Sequence, residues 1–262
     1  MKKLMDADAS VHAMFEATID DISLFRDSIA TIAELIDEAE FVAKDTGIEL
    51  LAADRAVVTV VEFKMHRNAF KEYTHDDQDS KIGINLLNLL QILRRAGPDD
   101  RLKMRLSENK LYITLSGKST RRFTLPLIDI SREETPPMDK LEFSTHLRMN
   151  SDLLTSGIED ADLITDSAVI TVRKDAFLVQ AQSDVSSTEL EVLADGHDLK
   201  ILEIGEPVRA RYSLDYLKKI IKAKKLSEEA EIYMATDYPL KMVFNVPGKA
   251  GLSFILAPRV EE

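Results

Sequence analysis

The chain contains its own pattern twice, and a duplication restricts the fold more than composition does, because each copy must cover an apolar face of its own. Asn85-Leu86-x-x-Leu89-x-x-Ile92-Leu93 returns as Ser213-Leu214-x-x-Leu217-x-x-Ile220-Ile221, 128 residues later. Both read as short amphipathic helices with an Asn or Ser N-cap. At the same offset Phe15 falls on Phe143, Ser23 on Ser151 as an expected N-cap, and the strand-turn-strand segment Phe41–Leu51 on Val169–Val179. Alternating runs such as Leu102–Leu106, Leu111–Leu115, Phe123–Leu127 and Glu231–Met234 read as strands. The expected class is therefore α+β, with two tandem similar domains of antiparallel sheets and two helices in each. Ser131–Lys140 carries Pro136-Pro137 in a charged stretch and reads as an extended connector. We place the domains at 14–128 and 141–262, with the connector at 129–140.

An active site is not visible. With no cysteine, disulfides, thiolate metal sites and cysteine nucleophiles are excluded. Neither a Gly-x-Gly-x-x-Gly motif nor a Walker-type phosphate loop occurs, and His12, His66, His75, His146 and His197 are scattered without metal-ligand spacing. The acidic stretch Thr74–Asp79 lacks the ligand order of a calcium loop and reads as solvated. No enzyme, cofactor or metal is expected. Nothing approaches the ~18 consecutive apolar residues of a membrane span, and Met-Lys-Lys-Leu-Met-Asp-Ala-Asp has no apolar segment behind its lysines. The expectation is a cytoplasmic protein without a membrane partner.

Thirty-four bases against 46 acids leave a net charge of -12, which taken alone argues against nucleic acid. The distribution argues otherwise. Val208–Leu226 holds seven bases and one acid, and Lys81–Arg105 six bases and two acids. Both windows contain the repeated helix, and Lys218, Lys222 and Lys225 are spaced to share one helical face. Arg94 takes the slot of Lys222 and Gln91 that of Lys219. These faces suit either ordinary solvation or phosphate contact without base readout. Two further segments have opposite signs. Gly117–Leu125 carries Lys118, Arg121 and Arg122, whereas Ser183–Val192 carries Asp184, Glu189 and Glu191. As exposed edges they could pair head to tail between subunits and close a ring; unrelated charged strands are the alternative.

Met14-Phe-Glu-Ala17, the helix 85–95, Pro126-Leu-Ile-Asp129, Ser213–Leu226, Asp237-Tyr-Pro-Leu240 and the closing Leu256-Ala-Pro-Arg-Val-Glu-Glu262 together resemble the archaeal-eukaryotic sliding-clamp family, PCNA, in its archaeal style. The resemblance implies a ring-forming homotrimer of the DNA clamp fold that encircles double-stranded DNA without sequence preference. It implies a nucleoid-associated processivity factor for replication and repair, without catalysis or cofactor. Implied partners are DNA polymerase, flap endonuclease, DNA ligase and the ATP-driven clamp loader, replication factor C. It implies DNA contacts at Arg26, Gln91, Arg94, Arg95, Lys218, Lys219 and Lys222. For a client peptide it implies a pocket of Ala53, Val58, Val60, Ile130, Pro137, Met138, Pro239, Ile255, Ala257 and Pro258. The trimer interface would hold Lys118, Arg121, Arg122, Phe123, Asp184, Glu189 and Glu191, while Val57–Phe63 and Leu252–Ala257 would join the two domains. Residues 1–13 precede the family's usual start and read as an extension.

The first helix of each half departs from that pattern. Residues 20–40 and 150–166 carry -6 and -5, with Arg26 the single base, and Ala33 and Glu159 stand where relatives often place lysine. DNA contact is therefore expected mainly at Arg94, Lys218 and Lys222, and weak. One subunit of a heterotrimeric ring, or an acidic scaffold that does not bind DNA, are the other readings.

Overall fold

A computed structural model describes residues 14–76, 79–130 and 140–260. The expected extension 1–13 and most of the connector, with Pro137 and Met138, lie outside the described residues. In the first half the order is β1 (Phe15–Ile19), α1 (Ser23–Ile32), β2 (Glu38–Lys44), β3 (Gly47–Ala53), β4 (Thr59–His66), β5 (Glu72–His75), β6 (Ser80–Asn85), α2 (Leu86–Leu93), β7 (Arg101–Ser107), β8 (Lys110–Ser116) and β9 (Thr120–Pro126). The second half repeats it with β10 (Thr145–Asn150), α3 (Ser151–Asp162), β11 (Ser167–Val172), β12 (Ala176–Gln182), β13 (Ser187–Leu193), β14 (Leu199–Ile204), β15 (Val208–Ser213), α4 (Leu214–Ile220), β16 (Glu229–Met234), β17 (Leu240–Val246) and β18 (Ala250–Leu256).

All strand pairs among the described residues are antiparallel. One sheet runs β5-β1-β7-β8-β9 and another β13-β12-β11-β15. The third has nine strands, β14-β10-β16-β17-β18-β4-β3-β2-β6, because β18 of the second half pairs with β4 of the first. That junction aligns Val60 with Ile255, Val61 with Phe254 and Phe63 with Leu252. Phe63, Leu252 and Phe254 are at most 1 % exposed, so the halves share one apolar core. The strand segments expected to join the domains are the ones that do.

The repeat is real, but its offset drifts. Hydrogen-bond registers place β3 on β12 at 129, β4 on β13 at 127 and β9 on β18 at 131. The cause is the two-residue period of a strand. A uniform 128 would carry Glu189 and Glu191 into the core face, where Thr188, Leu190 and Val192 point instead. Phe143 likewise lies before β10 rather than in the slot of Phe15. The N-caps differ too. Ser23 opens α1 as its first residue and donates to Asp21, and α3 is capped by Asn150, which accepts from the backbone N–H of Asp152 and Leu153. Asn85 caps α2 as expected, accepting from Asn88 at 3.0 Å.

The helices form one row. α1 rests on α2, α3 on α4, and α1 also touches the 3-10 turn Ile221–Lys225 that follows α4, which carries the row across the junction. Gly157 in α3 permits a close approach to the sheet. A Cβ there would stand 2.6 Å from Leu190 and 3.2 Å from Val179.

Candidate nucleic-acid interface, strand edges and junction grooves

Several bases of the helical row are engaged by acids of the same row. Lys218 reaches Asp162 at 2.9 Å and Asp215 at 3.8 Å, and Lys222 reaches Glu34 at 2.8 Å across the junction. Lys224 pairs with Asp152 at 3.0 Å and Arg26 with Asp27 at 2.9 Å. The hydrogen bond to Asp162 holds the Lys218 ammonium above its usual pKa. Lys219 lies 5.6 Å from the centre of the Tyr216 ring. Among the described residues Arg94 and Arg95 make no ion pair, and both are exposed, as is Gln91. The expected shared face of Lys218, Lys222 and Lys225 needs correction, since α4 ends at Ile220 and the 3-10 turn breaks the helical spacing.

β9 and β13 are the outer strands of their sheets, with one side of each unpaired. On β9, Arg122 is exposed and Phe123 half-buried, and Lys118 is exposed just before the strand. Arg121 turns back into its own chain, donating to Asp100 and, at 2.7 Å, to the Arg95 carbonyl. It is therefore a brace of the 95–100 loop, not a free edge cation. On the acidic side Glu189 accepts from Gln180 at 2.6 Å and Glu191 pairs with Arg173. Asp184 sits in the turn before β13, not on the strand.

The residues assigned to the client pocket fall around the β4–β18 junction. Ala257 donates its N–H to the Val58 carbonyl at 2.9 Å, and the Ile255 carbonyl accepts from the Thr59 hydroxyl at 2.9 Å. Val60 is 5 % exposed and contributes floor rather than contact surface. Pro239 precedes Leu240, whose register partner is Leu256, which puts it beside Ala257. Ala53 and Ile130 line a groove of about 750 Å³ between segment 35–40 and β3. Pro258 lines a second groove of about 450 Å³.

The loop between these grooves is organised by Asp54, a residue the sequence reading passed over. Its buried carboxylate accepts from the N–H of Ala56, Val58 and Thr59 and from the Tyr216 hydroxyl at 2.8 Å. The last bond ties α4 to the first half. Burial and that bond push the Tyr216 phenol up to about 12. The loop also holds Val57 at φ 54, costly for a β-branched residue, with its side chain 48 % exposed. An Asp five residues before a Thr-Val strand start is the only sequence signal for this hub, and it is a common one.

Two repeats of one sheet-and-helix unit, fused through a shared sheet and carrying the four helices of the described residues in one row, define the DNA clamp fold. The N-terminal-domain model of proliferating cell nuclear antigen matches residues 14–133 and the C-terminal-domain model residues 137–259. The chain belongs to the proliferating cell nuclear antigen family. A protein of Thermofilum pendens named DNA polymerase sliding clamp is 35% identical over 234 residues, covering 89% of this chain and 94% of that one. Another of the same name, from Methanothermobacter thermautotrophicus, is 33% identical over 249 residues, 95% and 99% of the two chains. The crystal structure of the Entamoeba histolytica antigen superposes with a TM-score of 0.87 at 23% identity, covering 95% of this chain and all of that one. No described helix is long and apolar enough to cross a membrane.

Proposed function

We propose that the chain is a DNA sliding clamp, a homotrimeric ring that encircles duplex DNA and tethers DNA polymerase and other replication and repair enzymes, with no catalysis of its own. One observation carries this reading. The free edges β9 and β13 are the counterparts of β18 and β4, the two strands already paired inside the chain. Each half thus repeats a unit whose two edges fit each other, and a chain of such units either continues or closes. With two units per chain, three chains supply six.

The register of the internal junction transfers to the junction between subunits. It sets Arg122 opposite Glu189, Phe123 opposite Thr188 and Arg121 opposite Leu190. The internal junction is apolar and permanent, whereas the external one is charged and weakened by salt. The helical row becomes the inner wall. Lys218, Lys222 and Lys224 are held by its own carboxylates, so DNA is retained by closure of the ring more than by affinity, with Arg94 and Arg95 the readiest phosphate contacts. The apolar residues around Ala257 receive one turn of a client peptide. The ring would be loaded by an ATP-driven clamp loader, would serve flap endonuclease and ligase as well, and would work in the cytoplasm on nucleoid DNA.

The chain has no cysteine, so paired Arg122→Cys and Glu189→Cys substitutions in one chain form the only thiols. Directly opposed strand residues stand ~5 Å apart, close enough to bridge. Mild oxidation should give a covalently closed trimer of three times 29.5 kDa. Bridging by an Arg122→Cys, Leu190→Cys chain instead, or a monomer throughout, would refute the ring as described.

A further inference from the structure

The second groove lies where the C-terminal segment crosses the outer side of β15. Two backbone bonds build it: the Arg259 N–H donates to the Arg211 carbonyl at 2.7 Å, and the Asp237 N–H to the Arg209 carbonyl at 3.0 Å. These contacts bring three arginines, Arg209, Arg211 and Arg259, to line a space of about 450 Å³ whose apolar lining includes Val169, Ala210 and Pro258. Arg259 reaches Asp166 at 2.8 Å and Arg211 approaches the Ser167 hydroxyl at 3.4 Å. The exposed Arg209 has no ion-pair partner among the described residues. Asp237 is the one acid of the lining and Asp166 offsets Arg259, so three arginines against two carboxylates leave the groove basic by one charge, carried by the exposed Arg209, within a chain of net charge -12. It is also contiguous with the client pocket, since Pro258 follows directly on Ala257.

We propose that this groove receives an acidic flank of the client peptide, so that clients of this clamp are selected for Asp or Glu beside their apolar anchor turn. This rests on the client-pocket reading above and adds a charge requirement to it. A carboxylate presents two oxygens to the planar fork of a guanidinium, a match that neither a neutral nor a basic side chain offers. The requirement is local and opposes the field of the whole protein, which repels acidic peptides, so the two effects have opposite signs and can be separated.

The probes are fluorescein-labelled peptides with one helical turn of an aliphatic and two aromatic anchors. Two glutamates, two glutamines or two lysines are placed in turn before or after that turn. Fluorescence anisotropy with the full-length chain should show the glutamate peptide, in one of the two placements, binding about three- to tenfold tighter than the glutamine peptide. Arg209→Ala should remove most of that preference while leaving the glutamine peptide unchanged, and 0.5 M salt should also shrink it. Equal binding of all flanks, or tighter binding of the lysine flank, overturns the acidic preference while leaving the client pocket standing. Failure of every peptide to bind overturns both.

Discussion

Arg122→Glu is the perturbation whose size follows most directly from the transferred register. It puts a glutamate opposite Glu189 at each junction between subunits. Opposed charges across a strand pair contribute ~0.2–1 kcal/mol and like charges cost a similar amount, so the swing is ~0.4–2 kcal/mol per junction. The bond from Gln180 to Glu189 tempers the wild-type gain and favours the lower end. A ring of three has three such junctions, so full dissociation is favoured by ~1–6 kcal/mol. Three monomers arise from one ring, and the half-dissociation concentration varies as the square root of the dissociation constant. It should rise roughly 3- to 150-fold. Sedimentation velocity across a concentration series at low salt reads this directly. Glu189→Arg in the same chain should restore much of the loss, and the difference should shrink in 0.5 M salt. An unchanged half-dissociation concentration, or a loss that Glu189→Arg leaves untouched, would refute the register.

Asp54→Ala strips an acceptor from three backbone N–H groups and the Tyr216 hydroxyl, and should cost about 2–4 kcal/mol in urea unfolding; a cost below 1 kcal/mol would contradict the hub. The Tyr216 phenol is held protonated in the fold, with its pKa raised above 10.0 to about 12, so its contribution is complete below pH 10 and lost as pH rises from there toward 12. Tyr216→Phe should accordingly flatten part of the stability loss between pH 10 and 11.5, and equal slopes would count against the clasp. Gly157→Ala gains helix propensity yet forces Leu190 and Val179 aside, and should destabilise by about 1–3 kcal/mol; thermal melts showing stabilisation would mean that the α3–β13 contact yields freely. Glu34→Gln with Asp162→Asn releases Lys222 and leaves Lys218 only its 3.8 Å contact with Asp215, and should tighten binding to linear duplex DNA and steepen its salt dependence. Unaltered binding would place those lysines away from DNA.

Much of this fold is written in local pattern, and the remainder in contacts that pattern does not carry. The helices after Asn85 and Ser213 are visible because an N-cap precedes an apolar stripe, and the β4 and β18 strands because alternation is a property of neighbours. The drift of the repeat from 127 to 131 is not, since an inserted residue in a turn leaves the helices aligned while moving strands out of phase. Nor is the fate of the charges. Lys222 finds Glu34 and Tyr216 finds Asp54 only because β4 pairs with β18, and those partners are more than 160 positions apart in the chain. Arg121 and Arg122 look equivalent in sequence, yet the strand's two faces send one into Asp100 and the other to solvent. The family's motifs point to the residues around Ala257 as the proposed client pocket, but the arginines beside them are spread over two segments that meet only where the C-terminal stretch crosses β15.

A ring that holds DNA by topology makes one demand that an ordinary DNA-binding protein does not. The chain should be placed on a nicked circular plasmid by a clamp loader with ATP, isolated by gel filtration, and followed after the circle is cut once. Protein that stays with the intact circle through 0.3 M salt and is lost within minutes of linearisation is the result expected here. Protein that leaves circle and linear DNA at the same rate, or remains on both, would contradict the sliding ring.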